Sequence, residues 1–194
     1  MRLLQITIAT LISLSTWGCK NTTDSNVKSA ALQCEVAAAY AAVIVARMKD
    51  RPTVFGTYDE PFMTPINGFG WYAADGDQSK TVAPPPVELV RQLEKLGNRN
   101  AIARCTTVRD LLDQHRIRYG QKATAAVNRE SPDGLWNAAN FTVSLPVISA
   151  DGKLALLASS QVAGPSSGNG FLELLERQAD GKWKMVATSV IWVA

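Results

Sequence analysis

An α+β fold, with N-terminal helices packed on a C-terminal antiparallel β-meander of about five strands, is predicted by three features of this 194-residue chain. Its first part carries apolar residues at three- and four-residue spacing, the mark of helices. From about Tyr119 onward the apolar residues fall instead into runs separated by turn residues, as strands do. Several of those turns are Asp-Gly pairs, which favour antiparallel hairpins. Helices first and strands afterwards indicate α+β rather than alternating α/β.

The chain opens with Met1-Arg2, an apolar stretch from Leu3 to Leu14, and then Ser15-Thr16-Trp17-Gly18-Cys19. A positive charge, a short apolar run and small residues before a cysteine are the parts of a cleaved export signal. The run is too short for a bilayer core, which needs roughly 20 residues. It resembles the export signal of bacterial lipoproteins: Gly18 matches their lipobox, Thr16 stands where Leu is usual, and Trp17 is bulky for its position. The resemblance implies a signal peptide over 1–18 and a lipid on Cys19. It places the chain in a bacterial cell envelope, on the periplasmic side of the outer membrane; without the lipid the chain would be secreted or periplasmic. Residues 19–26 are polar, lack apolar periodicity and read as a flexible tether. The remainder, 27–194, is long enough for one domain, with a helical and loop part over 27–118 and the meander over 119–194.

Ser25 to Lys49 reads as the first helix, Ala-rich and apolar nearly all round from Val36 to Ala46, hence buried on more than one side. Arg51-Pro52 ends it. Pro52 to Pro86 has no clear period and is rich in Gly, Pro and aromatic residues. Long structureless segments are uncommon in compact domains and are often functional. Phe55, Tyr58, Phe62, Phe69, Trp71 and Tyr72 are therefore the candidate ligand or partner surface, the alternative being rings that anchor the segment to the core. Asp75-Gly76-Asp77 lacks calcium-loop spacing and reads as a turn. Val87 to Leu96 is a second helix between Pro86 and Gly97. A third starts at Thr106 or Thr107, with Asp110 as the acidic partner of a capping box.

Strands are expected near Gln121–Asn128, Asn140–Ser149, Lys153–Ala163, Gly170–Gln178 and Lys182–Val193. Within them, Ala155-Leu156, the turn Gly164 to Gly170, Leu174-Leu175-Glu176-Arg177, Asp180-Gly181-Lys182-Trp183 and Ile191-Trp192-Val193 form a pattern. That pattern is similar to the C-terminal region of uncharacterised bacterial exported proteins. There the Gly-rich turn often carries two cysteines; Ala163 and Ser167 stand in their places here.

The chemistry inventory is short. A formal charge of +3 without a dense Lys/Arg run excludes the footprint of a nucleic-acid binder. With Cys19 acylated, Cys34 and Cys105 remain; an oxidising compartment favours a bridge between them, and two separately buried thiols are the alternative. One histidine and no CxxC pair exclude a zinc signature, and no cofactor motif is present. Gly164-Pro165-Ser166-Ser167-Gly168 satisfies G-x-S-x-G, yet it joins two expected strands, and the only histidine, His115, precedes it. His115 sits near Asp110 and Asp113, but neither spacing faces it on a helix, and Arg104, Arg109, Arg116 and Arg118 surround it in sequence. No catalytic residue is therefore assigned. The expectation is a non-enzymatic binding or interaction module whose partners are the membrane, through the lipid, and an envelope protein or a small ligand. The alternatives are an envelope hydrolase using His115 with a carboxylate, or an immunity or inhibitor protein.

Overall fold

A computed structural model describes residues 22–57, 59, 70–74, 80–97, 99–129, 136–164 and 166–194. Cys19, Tyr58, Phe62, Phe69 and the Asp75-Gly76-Asp77 turn lie outside the described residues. Five helices and eight strands follow in the order α1 (Thr22–Arg47), β1 (Thr53–Phe55), β2 (Tyr72–Ala73), α2 (Val87–Leu96), α3 (Ala101–Arg104), α4 (Thr106–Gln114), β3 (Arg118–Tyr119), α5 (Gln121–Arg129), β4 (Ala139–Val143), β5 (Val147–Ile148), β6 (Leu154–Gly164), β7 (Ser167–Arg177) and β8 (Trp183–Val193).

The α+β class stands, whereas the five-stranded meander does not. All eight strands belong to one mixed sheet, ordered β2-β8-β7-β6-β4-β1-β3, with β5 also on β6. Only β6, β7 and β8 form a meander of long antiparallel neighbours. On the other side of β6, β4 pairs antiparallel with it, and β1 then lies parallel between β4 and β3. The expected strand over Gln121–Asn128 is instead α5. Its three alanines favour a helix, and the Thr124 hydroxyl closes the first turn by donating to the Gly120 carbonyl at 2.8 Å. The expected strand over Asn140–Ser149 is divided by Leu145-Pro146, leaving β4 and β5; Pro146 has no N–H to offer a ladder.

Helices cover both faces of the sheet. On the first face α1 contributes Val36, Ala37, Tyr40, Ala41, Ile44 and Val45 to a core shared with α3, α4, Phe55, Leu157, Leu175 and Met185. On the second face Leu89 and Leu93 of α2 pack on Leu156, Leu172 and Leu174, while Val127 of α5 packs on Val54. Each fully buried Leu, Val or Phe contributes about 1.5–3 kcal/mol relative to exposure, and this buried face makes α1 the hub of the first face; the expected burial on more than one side is not met, since Ala42 and Ala46 on the opposite side are exposed. Lys28–Arg47 is also long and apolar enough to cross a membrane, with mean hydropathy 1.6. In this fold one face of that length packs on the sheet, and 33 % of it is buried. The helix begins at Thr22, inside the span read as a tether, because a helix already nucleated by its apolar centre propagates into polar sequence.

Three further ties hold α1. Cys34 is disulfide-bonded to Cys105 with Cα atoms 5.3 Å apart. Trp183 Nε1 donates to Glu35 Oε1 at 3.1 Å, and Gln33 Nε2 donates to the Pro146 carbonyl at 2.7 Å. At the far end of the bridge the capping box is absent: Cys105 is the N-cap of α4 and makes no side-chain capping bond, so Thr106 is already helical. The cap belongs to α3, where Asn100 Oδ1 accepts from the Ala103 N–H at 3.1 Å.

Strand β8 carries two extra residues relative to β7. Val186 falls between the pairs Leu174↔Ala187 and Leu175↔Met185, and Ile191 between Gly170↔Trp192 and Phe171↔Val190. Each bulge reverses the alternation of faces. Met185 therefore packs in the α1-side core, while Ala187, two residues later, packs under α2. Near the second bulge the Trp192 indole lies over Gly168 and Gly170, and a Cβ on Gly170 would overlap it. Gly170→Ala is expected to destabilise the domain by about 2 kcal/mol, the scale of overpacking a filled site. Urea unfolding measures this, and a loss below about 0.5 kcal/mol would show that the indole moves aside freely.

Candidate functional site

Between α1 and the β6–β8 part of the sheet lies a cleft of about 640 Å³. Ile44 of α1 and Met48 just beyond its end form one wall, Phe141, Phe171, Met185 and Val190 come from the sheet, and Tyr72, Ala73 and Ala74 close the side at β2. Volume and apolar lining are those of small-molecule sites. Helix periodicity brings Tyr40, Ile44 and Arg47 to one face of α1, and strand alternation brings Phe171 and Glu173 to one face of β7. The Val186 bulge turns Thr188 and Val190 toward the same space.

The polar centre is Tyr40, Ser159 and Glu173. The Tyr40 hydroxyl donates to Glu173 Oε1 at 2.9 Å and shares a 2.8 Å hydrogen bond with Ser159 Oγ. Glu173 is only 4 % exposed. Its second oxygen, Oε2, has no hydrogen-bond partner among the described residues. The Thr188 hydroxyl, opposite Glu173 across the β7–β8 pair, lies close enough to that carboxyl to favour its ionised form. Burial is the main cause that raises the Glu173 pKa from 4.5 to about 7, with the Tyr40 hydrogen bond and the Arg47 charge acting against it. Burial likewise pushes the Tyr40 phenol well above its ordinary 10, reinforced by the Glu173 charge. Such a carboxyl can exchange a proton at neutral pH, accept a hydrogen bond from a donor in the cleft, or balance a cation.

Comparison with protein-family models, with curated proteins and with solved structures finds no match. The site is therefore read from its own geometry.

Of the aromatic segment, Tyr72 lines this cleft. Phe55 is a correction: it is 0 % exposed in the α1-side core, its ring 5.7 Å from that of Phe141, and it offers no surface to a partner. Trp71 is half-buried against the α2-side core, which is the anchoring role. His115 is elsewhere, capping the C-terminus of α4, with its N–H on the Leu111 carbonyl at 3.2 Å. It lines a second cleft beside Lys49, Arg51, Arg116 and Arg118. No described carboxylate forms a hydrogen bond or ion pair with His115; Asp113 accepts instead from the Tyr119 hydroxyl at 3.3 Å. Glu173 itself escaped sequence reasoning. The available signal was an acidic residue between Leu172 and Leu174 in an apolar strand, at a position whose alternation faces the helix layer.

Asp59 is the other displaced carboxylate that ties elements together. Its Oδ1 accepts the Asn100 N–H at 2.6 Å and Arg104 Nη1 at 3.0 Å, and these bonds hold its pKa below the ordinary value. It secures the entrance of α3, on the path to Cys105, and takes no part in the cleft.

Proposed function

We propose that this chain is an exported cell-envelope protein, tethered by a lipid on Cys19, that acts as a non-enzymatic binding module, and that the cleft between α1 and the sheet is its ligand site. One observation carries the reading: a cleft of about 640 Å³ has largely apolar walls and a buried, hydrogen-bonded polar cluster, Tyr40, Ser159 and Glu173. Such a site holds an apolar body by burial and orients it through few polar contacts. His115 lines a different cleft, beside Lys49, Arg51, Arg116 and Arg118, so the hydrolase alternative would be a separate site from this one. An export signal agrees with the Cys34–Cys105 disulfide, a bond that persists in oxidising compartments.

The binding reading is tested by a screen of small apolar molecules against the full chain carrying ¹³C-labelled methionine methyls. Met48 and Met185 both line the cleft and report on it. Saturable shifts at both methyls are the expected result; none at millimolar concentration would remove the reading. For the anchor, Cys19→Ala is expected to abolish incorporation of labelled palmitate and to release the protein from the membrane fraction. Membrane retention and lipid labelling unchanged by that substitution would exclude Cys19 as the anchor.

A further inference from the structure

The Glu173 carboxyl is half satisfied. Oε1 takes the Tyr40 hydroxyl, while Oε2 takes nothing from any described residue, although Glu173 lines the cleft and is 4 % exposed. A buried acceptor left without a donor is costly, and more so when it carries charge. Among the described lining residues Glu173 is the only carboxylate and Arg47 the only cation. Arg47 lies exposed at the mouth, its Nη2 directed to the Ala74 carbonyl at 3.4 Å, and it forms no ion pair with Glu173. A ligand reaching Oε2 must therefore bring its own hydrogen. An anion would meet the carboxylate and be repelled, a hydroxyl would supply one neutral hydrogen bond, and an ammonium would supply a charge-assisted bond together with the missing countercharge.

We propose that the cleft recognises an organic amine, its apolar body against Met48, Phe171 and Met185 and its ammonium group on Oε2 of Glu173. This rests on the binding-module reading given above and adds the ligand's chemical class. The groups facing Glu173 agree with it. From α1 come Tyr40 and Arg47, from β2 Tyr72, from β6 Ser159 and from β8 Thr188. None is a second acid, and none but the exposed Arg47 carries a positive charge. Since the ammonium favours the ionised carboxylate, amine binding expels a proton from Glu173, and affinity rises with pH until the carboxyl is ionised without ligand.

The test uses three probes of nearly equal size, 2-phenylethylammonium, 2-phenylethanol and 3-phenylpropionate, titrated into the full chain with the Met48 and Met185 methyls as reporters. The ammonium is expected to bind at least tenfold more tightly than either other probe. Its affinity should rise at least fivefold between pH 5.5 and 8, and the preference should vanish in Glu173→Gln. Equal affinity for all three probes would leave a site for apolar molecules and overturn the amine assignment. Preference for the propionate would also overturn it, placing selection at Arg47. No saturable shift with any probe would overturn both this inference and the binding reading. Should Glu173→Gln fail to fold, the pH profile of the unsubstituted chain decides: an affinity for the ammonium that is flat across that range excludes Glu173 as the contact.

Discussion

Replacing Cys34 and Cys105 by Ala is expected to lower the unfolding free energy by about 4 kcal/mol and the melting temperature by roughly 10 °C. The cross-link joins residues 71 apart in sequence and so removes a large closed loop's worth of freedom from the unfolded chain. It also fastens α1, the hub of one face, to the junction of α3 and α4, with Cys105 wholly buried. Urea unfolding of the oxidised protein, the reduced protein and the double variant checks this, and the last two should coincide. A loss under about 1 kcal/mol would mean that the unfolded chain is already compact around this loop.

The second large effect is a dependence of stability on pH set by Glu173. In the native state this carboxyl keeps its proton up to about pH 7, whereas its ordinary value is 4.5. Between those values the folded chain binds more protons than the unfolded chain, so stability falls as pH rises. The difference corresponds to about 3 kcal/mol, present in full below about pH 4.5 and lost as pH rises through about 7. Asp59, Asp151 and Asp180 are displaced in the opposite direction by hydrogen bonds, and their contributions disappear only as pH falls below the ordinary carboxylate range. Glu173→Gln should therefore exceed the unsubstituted protein by less than about 1 kcal/mol at pH 5 and by about 1–3 kcal/mol at pH 8. Unfolding curves at pH 5, 6.5 and 8 provide the comparison. Parallel pH profiles for the two proteins would show that the carboxyl is hydrated in the native state.

Elements bounded by punctuation were readable from sequence, while those made by distant pairing were not. Val87–Leu96 is α2 at both ends because Pro86 and Gly97 bracket it. Strands β6, β7 and β8 match expectation to within three residues because Asp-Gly and Gly-rich turns separate them. Strand β1 has three residues, too few for a period to show, and its parallel partners Ala139–Phe141 and Arg118-Tyr119 lie more than sixty residues away. Nothing local in Thr53-Val54-Phe55 records that pairing. The short Ala-rich run after Gly120 carries both helix and strand signals, and the surroundings of Val54 decide for the helix by accepting Val127. As for the site, Tyr72 was singled out for its aromatic neighbourhood rather than for the cleft. Tyr40 and Glu173 are 133 residues apart, and only packing α1 across β7 brings them together.

The bulges of β8 also bear on how this molecule behaves among its own copies. Strand β8 has eleven residues, and on its outer side Ala187 and Thr188 pair with β2 while the Val186 carbonyl accepts the Ala74 N–H at 3.1 Å. A long, regular, half-covered margin of this kind invites another strand to add to it and start an aggregate. Val186 and Ile191 interrupt the regular repeat of donors and acceptors along that margin, and Lys184 places a charge on it. The irregularities that turn Thr188 and Val190 into the cleft thus also make β8 a poor template for edge-to-edge association.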